Sequence, residues 1–234
     1  MTTTESLLNV SNVHVAYPAR RRGGKSARAV DGVDLEIHPG EIVALVGESG
    51  CGKTTLARAI LGLQETSEGS IAFGGELLPT SASGKKAFRR RAQIVFQDPT
   101  ASLNPRHSVY EIVAEGLRIH GLGENEHQVV KNALEQCGLH PAERYMLKYP
   151  HELSGGQRQR VVIAGAMVLK PQLLVADEPV SSLDASVRGE ILALLQRLAR
   201  DENMAVLVVT HDLGLPWNIA DRIAVLYLGR IVEI

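Results

Sequence analysis

The strongest constraint on this chain is a glycine-rich run placed between an apolar segment and a helix-forming one. The run reads Gly47-Glu48-Ser49-Gly50-Cys51-Gly52-Lys53-Thr54-Thr55; residues 42–46 before it are Ile-Val-Ala-Leu-Val, and residues 56–61 after it favour helix. Glycines let successive backbone N–H groups face inward as a nest for phosphate oxygens, and a helix N-terminus adds positive charge at the same point. The order of strand, glycine-rich turn and helix therefore predicts a phosphate-binding loop.

Two side chains of this loop have the chemistry that a nucleoside triphosphate requires. Lys53 can reach the β- and γ-phosphates, and the Thr54 hydroxyl is placed to bind a Mg²⁺ ion that bridges them. The sequence thus predicts a site for a nucleoside triphosphate with Mg²⁺. A glycine-rich turn without a ligand is the alternative, and the rest of the chain weakens it.

Composition excludes several other classes of protein. Of the 234 residues, 44% are hydrophobic, which is enough for one large domain or for a core that carries a smaller subdomain. A net charge of −1 gives no overall sign of a nucleic-acid partner, and none is expected. No apolar run approaches the roughly 18 residues of a membrane span, and the polar start lacks a signal-peptide core. The two cysteines, Cys51 and Cys137, have neither disulfide nor metal-ligand spacing, which is typical of a reducing compartment.

Hydrophobic periodicity divides the chain into a sheet-forming part and a helical insertion. Residues 7–17 and 30–37 alternate in polarity and predict two antiparallel strands, joined by the basic loop 18–28, which we interpret as a solvated charge run. Strand signals are absent from residues 100–165, where three helices are predicted. The predicted domain is therefore a sheet core of about residues 1–99 and 166–234, interrupted by a helical subdomain of about residues 100–165.

Several predicted strands end in polar side chains. Asp177 and Glu178 follow the buried strand 173–176, Gln97 follows residues 94–96, and His211 follows residues 206–209 closely. Ligands of an open parallel sheet lie outside the carboxyl ends of its strands, so these side chains are expected to gather around the phosphates. Asp177 suits Mg²⁺ binding, and Glu178 is placed to accept a proton from an attacking water. Each residue alone is a weak signal, because capping aspartates and structural histidines are common.

The helix predicted from Ser154 has an unusual start. Ser154 as N-cap and Gln157 three residues later form a capping box, which explains both side chains without a ligand. The box does not explain Gly155 and Gly156, which lower helix stability but leave bare N–H groups that an anion can approach. This is a second candidate phosphate contact. Asp184 is predicted to cap the next helix.

Together these segments resemble the motifs of ABC-type ATPases. The corresponding motifs are Walker A at 47–55, the Q-loop at Gln97, the signature at 153–157, Walker B at 173–178, the D-loop at 182–184 and the switch histidine at His211. The resemblance spans nearly the whole chain, and Leu-Ser-Gly-Gly-Gln is its most specific part. It implies an α/β P-loop NTPase (RecA-like) fold, with a mostly parallel sheet core, an N-terminal antiparallel β subdomain and an inserted α-helical subdomain.

The resemblance also implies a role for each motif residue. Tyr17 corresponds to the adenine-stacking residue, although its local sequence alone favours a core or surface tyrosine. The implied catalytic residues are Glu178 as base, His211 as γ-phosphate sensor, Lys53 and Gln97. The implied nucleotide-binding residues are Tyr17, Gly47, Glu48, Ser49, Gly50, Cys51, Gly52, Lys53, Thr54, Thr55, Gln97, Asp177, Glu178 and His211. The implied Mg²⁺ ligands are Thr54, Gln97 and Asp177.

The resemblance also implies a head-to-tail dimer, in which some residues act on the nucleotide of the other subunit. ATP would lie between residues 47–55 of one subunit and the signature segment of the other. The residues implied to act in trans are Ser154, Gly155, Gly156, Gln157 and Asp184.

A narrower resemblance lies in residues 97–105, Gln-Asp-Pro-Thr-Ala-Ser-Leu-Asn-Pro, which are similar to the Q-loop extension of oligopeptide, dipeptide and nickel importers. It implies an ATP-hydrolysing import subunit for peptides or a related small solute, with ATP and Mg²⁺ as cofactors, at the cytoplasmic face of the cell membrane. The implied partners are a second ATP-binding subunit, transmembrane permease subunits and an extracytoplasmic solute-binding protein. Because those importer subunits continue beyond the point that corresponds to Ile234, a longer native chain is expected.

Two other classes within the same superfamily stay open at this stage. A soluble ABC-type ATPase acting on DNA would carry a long coiled coil between Gln97 and Leu153, where only short helices are predicted here. An ATPase acting on the ribosome would have two such domains in one chain.

Overall fold

The computed structural model describes residues 5–17, 27–214 and 216–234. Within them the chain forms two compact units: unit 1 comprises the described residues up to Arg89 and from Ala205 onward, and unit 2 comprises Arg90–Met204. Most of the predicted basic loop 18–28 lies outside the described residues, so its interpretation as a solvated charge run stays a prediction. Arg28, at its end, belongs to a strand and pairs with Asp31.

The described residues form both strands and helices, which are interspersed along the chain. The strands are β1 (Leu8–Tyr17), β2 (Ala27–Ile37), β3 (Ile42–Val46), β4 (Glu68–Phe73), β5 (Glu76–Leu77), β6 (Ala92–Val95), β7 (Leu173–Asp177), β8 (Ala205–Thr210), β9 (Arg222–Tyr227) and β10 (Arg230–Glu233). The helices are α1 (Lys53–Ile60), α2 (Ala82–Arg91), α3 (Pro99–Ser102), α4 (Val109–His120), α5 (Glu126–Gln136), α6 (Glu143–Met146), α7 (Gly155–Met167) and α8 (Ala185–Asp201), with 3-10 turns at Pro150–Glu152 and Pro216–Asn218.

Unit 1 contains an antiparallel sheet and a set of parallel strands. The antiparallel sheet has the order β2-β1-β4-β5. Strand β3 pairs in parallel with both β8 and β9, and β10 pairs antiparallel with β9. Every residue of β3 and β8 is buried, as expected for continuous apolar strands covered on both faces. Helix α1 follows β3 directly, so the phosphate loop joins a buried strand to a helix.

Unit 2 combines two parallel strands with a group of helices. Strands β6 and β7 pair in parallel, and no strand lies among the described residues of the chain between them. Helix α7 contacts α3, α4, α5, α8 and β6, which makes it the central helix of this unit. The predicted helical subdomain falls inside unit 2, and its boundaries near residues 100 and 165 stay a prediction.

The predicted fold class is confirmed, with local differences. The strand predicted at 94–96 covers Ala92–Val95 instead, and Phe96 lies outside it with 41% of its surface exposed. Immediately afterwards Asp98 caps the four-residue helix α3 by accepting the N–H of Thr100, so Gln97 lies in a short turn. Short elements such as α3 and α6 carry too few residues for a periodic signal, which explains why the sequence did not predict them. None of the described helices is long and apolar enough to cross a membrane.

Candidate nucleotide-binding site

The backbone of the predicted phosphate loop depends on glycine at both ends. A Cβ atom at Gly47 would lie 2.2 Å from the carbonyl oxygen of Leu226, and one at Gly52 would lie 2.1 Å from that of Ala29. Gly52 also has φ +112 and is the N-cap of α1, so no side chain caps the first N–H groups of that helix. The N-terminus of α1 therefore has the composition of an anion site, with backbone donors at the positive end of a helix.

Lys53 places its ammonium group inside this loop. Its Nζ atom donates hydrogen bonds to the carbonyl oxygens of Gly47 and Glu48, at 2.7 and 2.9 Å, and lies 4.0 Å from the sulfur of Cys51. Lys53 is only 7% exposed and forms no salt bridge among those found in the described residues. A buried ammonium held by carbonyl dipoles favours an anionic ligand, because a phosphate would supply the opposite charge. The loop therefore fits a nucleotide phosphate.

A backbone hydrogen bond from Gly229 also holds the phosphate loop. Gly229 lies between β9 and β10; its N–H donates to the carbonyl oxygen of Cys51 at 2.9 Å, and its own carbonyl accepts the N–H of Asp31 at 2.8 Å. The Asp31 carboxylate in turn pairs with Arg230 and Arg28, at 2.7 and 2.9 Å. The hydrogen bonds from these two guanidinium groups lower the pKa of Asp31 to about 2, so the carboxylate is ionised at neutral pH. The sequence analysis missed this contact because Gly229 carries no motif.

Tyr17 and His211 both belong to unit 1. Tyr17 ends β1, is 40% exposed, and its Oη atom lies 3.5 Å from Oγ1 of Thr55 in α1. His211 follows the last residue of β8, and Val46 and Thr210 are partners in the β3–β8 register. Gly47 and His211 therefore leave the sheet at the same level, as the parallel arrangement predicts. Unit 1 thus brings the loop and His211 to the carboxyl end of its parallel strands, and places Tyr17 beside α1.

Unit 2 brings Gln97, Asp177 and Glu178 to one edge by the same rule. Val95 and Ala176 are partners in the β6–β7 register, so Asp177 and the turn that contains Gln97 follow at the same level. Asp177 is 6% exposed at the end of β7, whereas Gln97 is exposed. The carboxylate and amide oxygens of Asp177 and Gln97 are ligands that suit Mg²⁺. No group of three or more His, Cys, Asp or Glu residues that could hold a metal exists among the described residues.

Glu178 has an unusual backbone conformation. Its φ is +51, in the left-handed region that non-glycine residues seldom adopt. Its carbonyl oxygen accepts hydrogen bonds from both the N–H and the hydroxyl of Ser181, at 3.3 and 3.1 Å, which hold this conformation in place. Backbone strain of this kind is concentrated at functional sites. The conformation supports a functional role for Glu178 that its sequence position alone only suggested.

The predicted capping box at the start of α7 is confirmed. The Ser154 hydroxyl accepts the N–H of Gln157 at 3.2 Å, and the Gln157 side chain accepts the N–H of Ser154 at 3.0 Å. Gly156 has a packing reason that the sequence did not reveal, because a Cβ atom there would lie 2.6 Å from Cγ1 of Val187. Gly155 has no such restriction, since its nearest contact would be ordinary, at 3.5 Å from Leu183.

The predicted capping role of Asp184 is wrong in one respect. Asp184 is the N-cap of α8, but its side chain accepts no hydrogen bond from the helix backbone. Next to Asp184, the carbonyl oxygen of Leu183 accepts a hydrogen bond from Nε of Arg188, at 2.8 Å. The carboxylate of Asp184 is therefore not used for helix capping.

Comparison with known proteins identifies the family. A model of the family described as "ABC transporter" matches residues 30–181. The chain belongs to this family. The putative oligopeptide transport ATP-binding protein YkfD of Bacillus subtilis (strain 168) is 46% identical over 97% of this chain and 69% of its own length. The glutathione import ATP-binding protein GsiA of Escherichia coli (strain K12) is 45% identical over 98% of this chain and 38% of its own length.

Solved structures of ABC ATPase domains agree with these relatives. CbiO1 from Clostridium perfringens, described as part of the ABC transporter complex CbiONQ, superposes with a TM-score of 0.86, 31% identity, and coverage of 97% of this chain and 87% of CbiO1. The ATP-binding cassette MJ0796, solved as a dimer with ADP and phosphate, gives a TM-score of 0.83 at 29% identity, with 97% of each chain covered. The predictions of family, fold class and an ATP-binding transport ATPase are therefore confirmed. The present chain spans only part of the curated relatives that it matches.

Three residues that sequence analysis missed support the predicted ones. Arg158 and Arg188 hold backbone carbonyl groups, and Gly229 holds the phosphate loop. The sequence does contain a signal for the two arginines. Each stands four residues after a predicted N-cap, Ser154 for Arg158 and Asp184 for Arg188. Gly229 had no such signal, because its partner is distant in the sequence.

Proposed function

We propose that this chain is the ATP-hydrolysing subunit of an ABC importer for peptides or a related small solute. The observation that carries the proposal is its 46% identity, over 97% of the chain, to a protein named as an oligopeptide transport ATP-binding protein. The similarity to a glutathione import protein supports the same class, because glutathione is a small peptide. The Q-loop extension at residues 97–105 points in the same direction.

The reaction is transfer of the γ-phosphoryl group of ATP to water. The glycine-rich loop and Lys53 bind the phosphates, and the ammonium group of Lys53 offsets charge that develops on them. Glu178 accepts the proton of the attacking water, and His211 contacts the γ-phosphate. Tyr17 stacks on the adenine ring, for which its exposed ring at the end of β1 is suited. Thr54, Gln97 and Asp177 would hold Mg²⁺, which when bound supplies positive charge at the phosphate oxygens.

The catalytic unit is a head-to-tail dimer, either of two copies or with a second ATP-binding subunit. Ser154, Gly155, Gly156, Gln157 and Asp184 act on the nucleotide of the other subunit. The carboxylate of Asp184 makes no capping hydrogen bond to α8, which supports this role, since helix capping does not account for the residue type. ATP-driven closing and hydrolysis-driven opening of the dimer would then move the permease.

The subunit works at the cytoplasmic face of the membrane through permease subunits and together with an extracytoplasmic solute-binding protein. The neighbouring reading frames give a direct check, because two permeases and a secreted binding protein are expected there. A ribosome- or DNA-directed ATPase is not favoured, because the relatives described above are transport ATPases.

The enzymatic part is tested by Glu178→Gln, which keeps the size of the side chain and removes the proton acceptor. Phosphate release from ATP with Mg²⁺ should fall by a factor of about 100 or more, within the range of a lost general base, while ATP still binds. Glu190→Gln is the matched control, because Glu190 is an exposed residue of α8 that pairs with Arg160. Full turnover by Glu178→Gln would contradict the proposed role of Glu178.

A further inference from the structure

We infer that the segments around Ser154 and Asp184 form one preassembled block, in which Arg158 and Arg188 are positioning residues for the trans-acting face. This inference rests on the proposed function, because it concerns the residues proposed to act on the nucleotide of the other subunit. All of its contacts lie within unit 2.

Arg158 holds the backbone immediately before Ser154. Its Nη1 atom donates hydrogen bonds to the carbonyl oxygens of Leu153 and Pro150, at 2.7 and 3.3 Å. The same guanidinium group thus connects the 3-10 turn Pro150–Glu152, and the residue that precedes the N-cap of α7, to the first turns of that helix. Hydrogen bonds from a charged donor are about twice as strong as neutral ones, so this contact restrains the backbone that leads into Ser154.

Arg188 repeats the arrangement at the next helix. Ser154 and Asp184 are N-caps, and each arginine stands four residues after its N-cap. Each arginine donates to the carbonyl oxygen of the leucine that precedes the N-cap, Leu183 in the case of Arg188, at 2.8 Å. The two segments proposed to act in trans are therefore positioned by the same type of hydrogen bond, from an arginine side chain to a backbone carbonyl.

A tight contact joins the two segments to each other. A Cβ atom at Gly156 would lie 2.6 Å from Cγ1 of Val187, and one at Gly155 would lie 3.5 Å from Leu183. A Cβ atom this close to another carbon forces one of the two groups to shift, and Val187 is a stiff, β-branched residue on the first turn of α8. Glycine at position 156 thus lets the start of α7 approach the start of α8. The partner subunit would meet Ser154 and Asp184 as one surface.

The first test uses Arg158→Met in the Glu178→Gln background, in which we expect ATP-bound dimers to accumulate because hydrolysis is blocked. We expect the dimer dissociation constant, measured by sedimentation with ATP, to rise about tenfold or more, because a charged hydrogen-bonding group is lost. ATP affinity, measured at protein concentrations too low for dimerisation, should not change. Arg158→Lys should restore part of the loss, since an ammonium group can still donate to a carbonyl oxygen.

Arg160→Met is the matched control for this test. Arg160 is also on α7 and also donates to a backbone carbonyl, that of Cys137, and pairs with Glu190, but it does not contact the Ser154 segment. Arg160→Met should therefore dimerise as the parent does. If Arg158→Met dimerises like its parent, the inference is wrong. If the Glu178→Gln parent itself does not dimerise, the proposed function fails first, and the inference fails with it.

The second test does not depend on the folding of the arginine variants. Gly156→Ala should weaken the ATP-dependent dimer about tenfold, Val187→Ala alone should change it less than about threefold, and the double variant should recover most of the loss. Recovery requires that the cost of Gly156→Ala comes from the clash with Val187. If the double variant recovers none of the lost dimer affinity, the cost of Gly156→Ala does not come from Val187. The inference that the segments around Ser154 and Asp184 form one block would then be wrong.

Discussion

The N–H of Gly229 donates a hydrogen bond to the carbonyl oxygen of Cys51, 2.9 Å away, and so ties the turn between β9 and β10 to the phosphate loop. Gly229 has φ +83, and a Cβ atom there would lie 3.0 Å from the carbonyl oxygen of Ala29. A side chain at this position would displace the turn and the loop together.

Gly229→Ala should therefore weaken ATP binding. The left-handed conformation costs a non-glycine residue about 1–2 kcal/mol, and relief of that strain would break the bond to Cys51. We expect a severalfold rise in the ATP dissociation constant, measured by isothermal titration. Gly75→Ala is the control, because Gly75 has φ +81 and open space around it, far from the loop in sequence. Equal ATP affinities of the two variants would show that the hydrogen bond from Gly229 to Cys51 does not support nucleotide binding.

Lys53→Ala should abolish turnover and weaken ATP binding at least tenfold. The substitution removes the cation that is placed in the loop and its bonds to Gly47 and Glu48. Isothermal titration with ATP is the measurement, and a thermal unfolding curve shows whether the variant is folded. Unchanged affinity in a folded protein would mean that the loop is not the phosphate site.

Ser154→Arg, added to Glu178→Gln, should prevent the ATP-dependent dimer while monomeric nucleotide binding persists. Ser108→Arg is a matched control, since Ser108 caps α4 with the same type of capping box, completed by Glu111. Both substitutions should lower the melting temperature similarly, but only Ser154→Arg should keep the protein monomeric in light scattering. A Ser154→Arg double variant that still dimerises would remove the trans role from Ser154.

Nucleotide should protect Cys51 from maleimide. The thiol is 7% exposed, next to Lys53 and just before α1, and bound phosphate would cover it and add negative charge. Cys137 is the internal control: it is fully buried, and this burial raises its pKa to about 12, so at pH 8 it is a protonated, unreactive thiol. Mass spectrometry after brief labelling, with and without ADP and Mg²⁺, separates the two sites. Measurable Cys51 labelling that saturating nucleotide does not slow would contradict the phosphate-loop assignment.

The sequence by itself determined the fold class and the residues of each motif. Strand β3 and the capping box of Ser154 and Gln157 match their predictions closely. These features are encoded locally, because the period of apolar residues and the identity of a cap depend on neighbours within a few positions. The family relationship follows from the same local motifs.

Only the tertiary structure decided which groups hold those motifs in place. The bond from Gly229 to Cys51, the contact of Gly156 with Val187 and the left-handed conformation of Glu178 each depend on how distant segments pack or on the backbone they impose. Two glycines of adjacent sequence, Gly155 and Gly156, therefore look equivalent in the sequence but not in the fold. The physical reason is that steric exclusion acts through space, and a sequence pattern records only spacing along the chain.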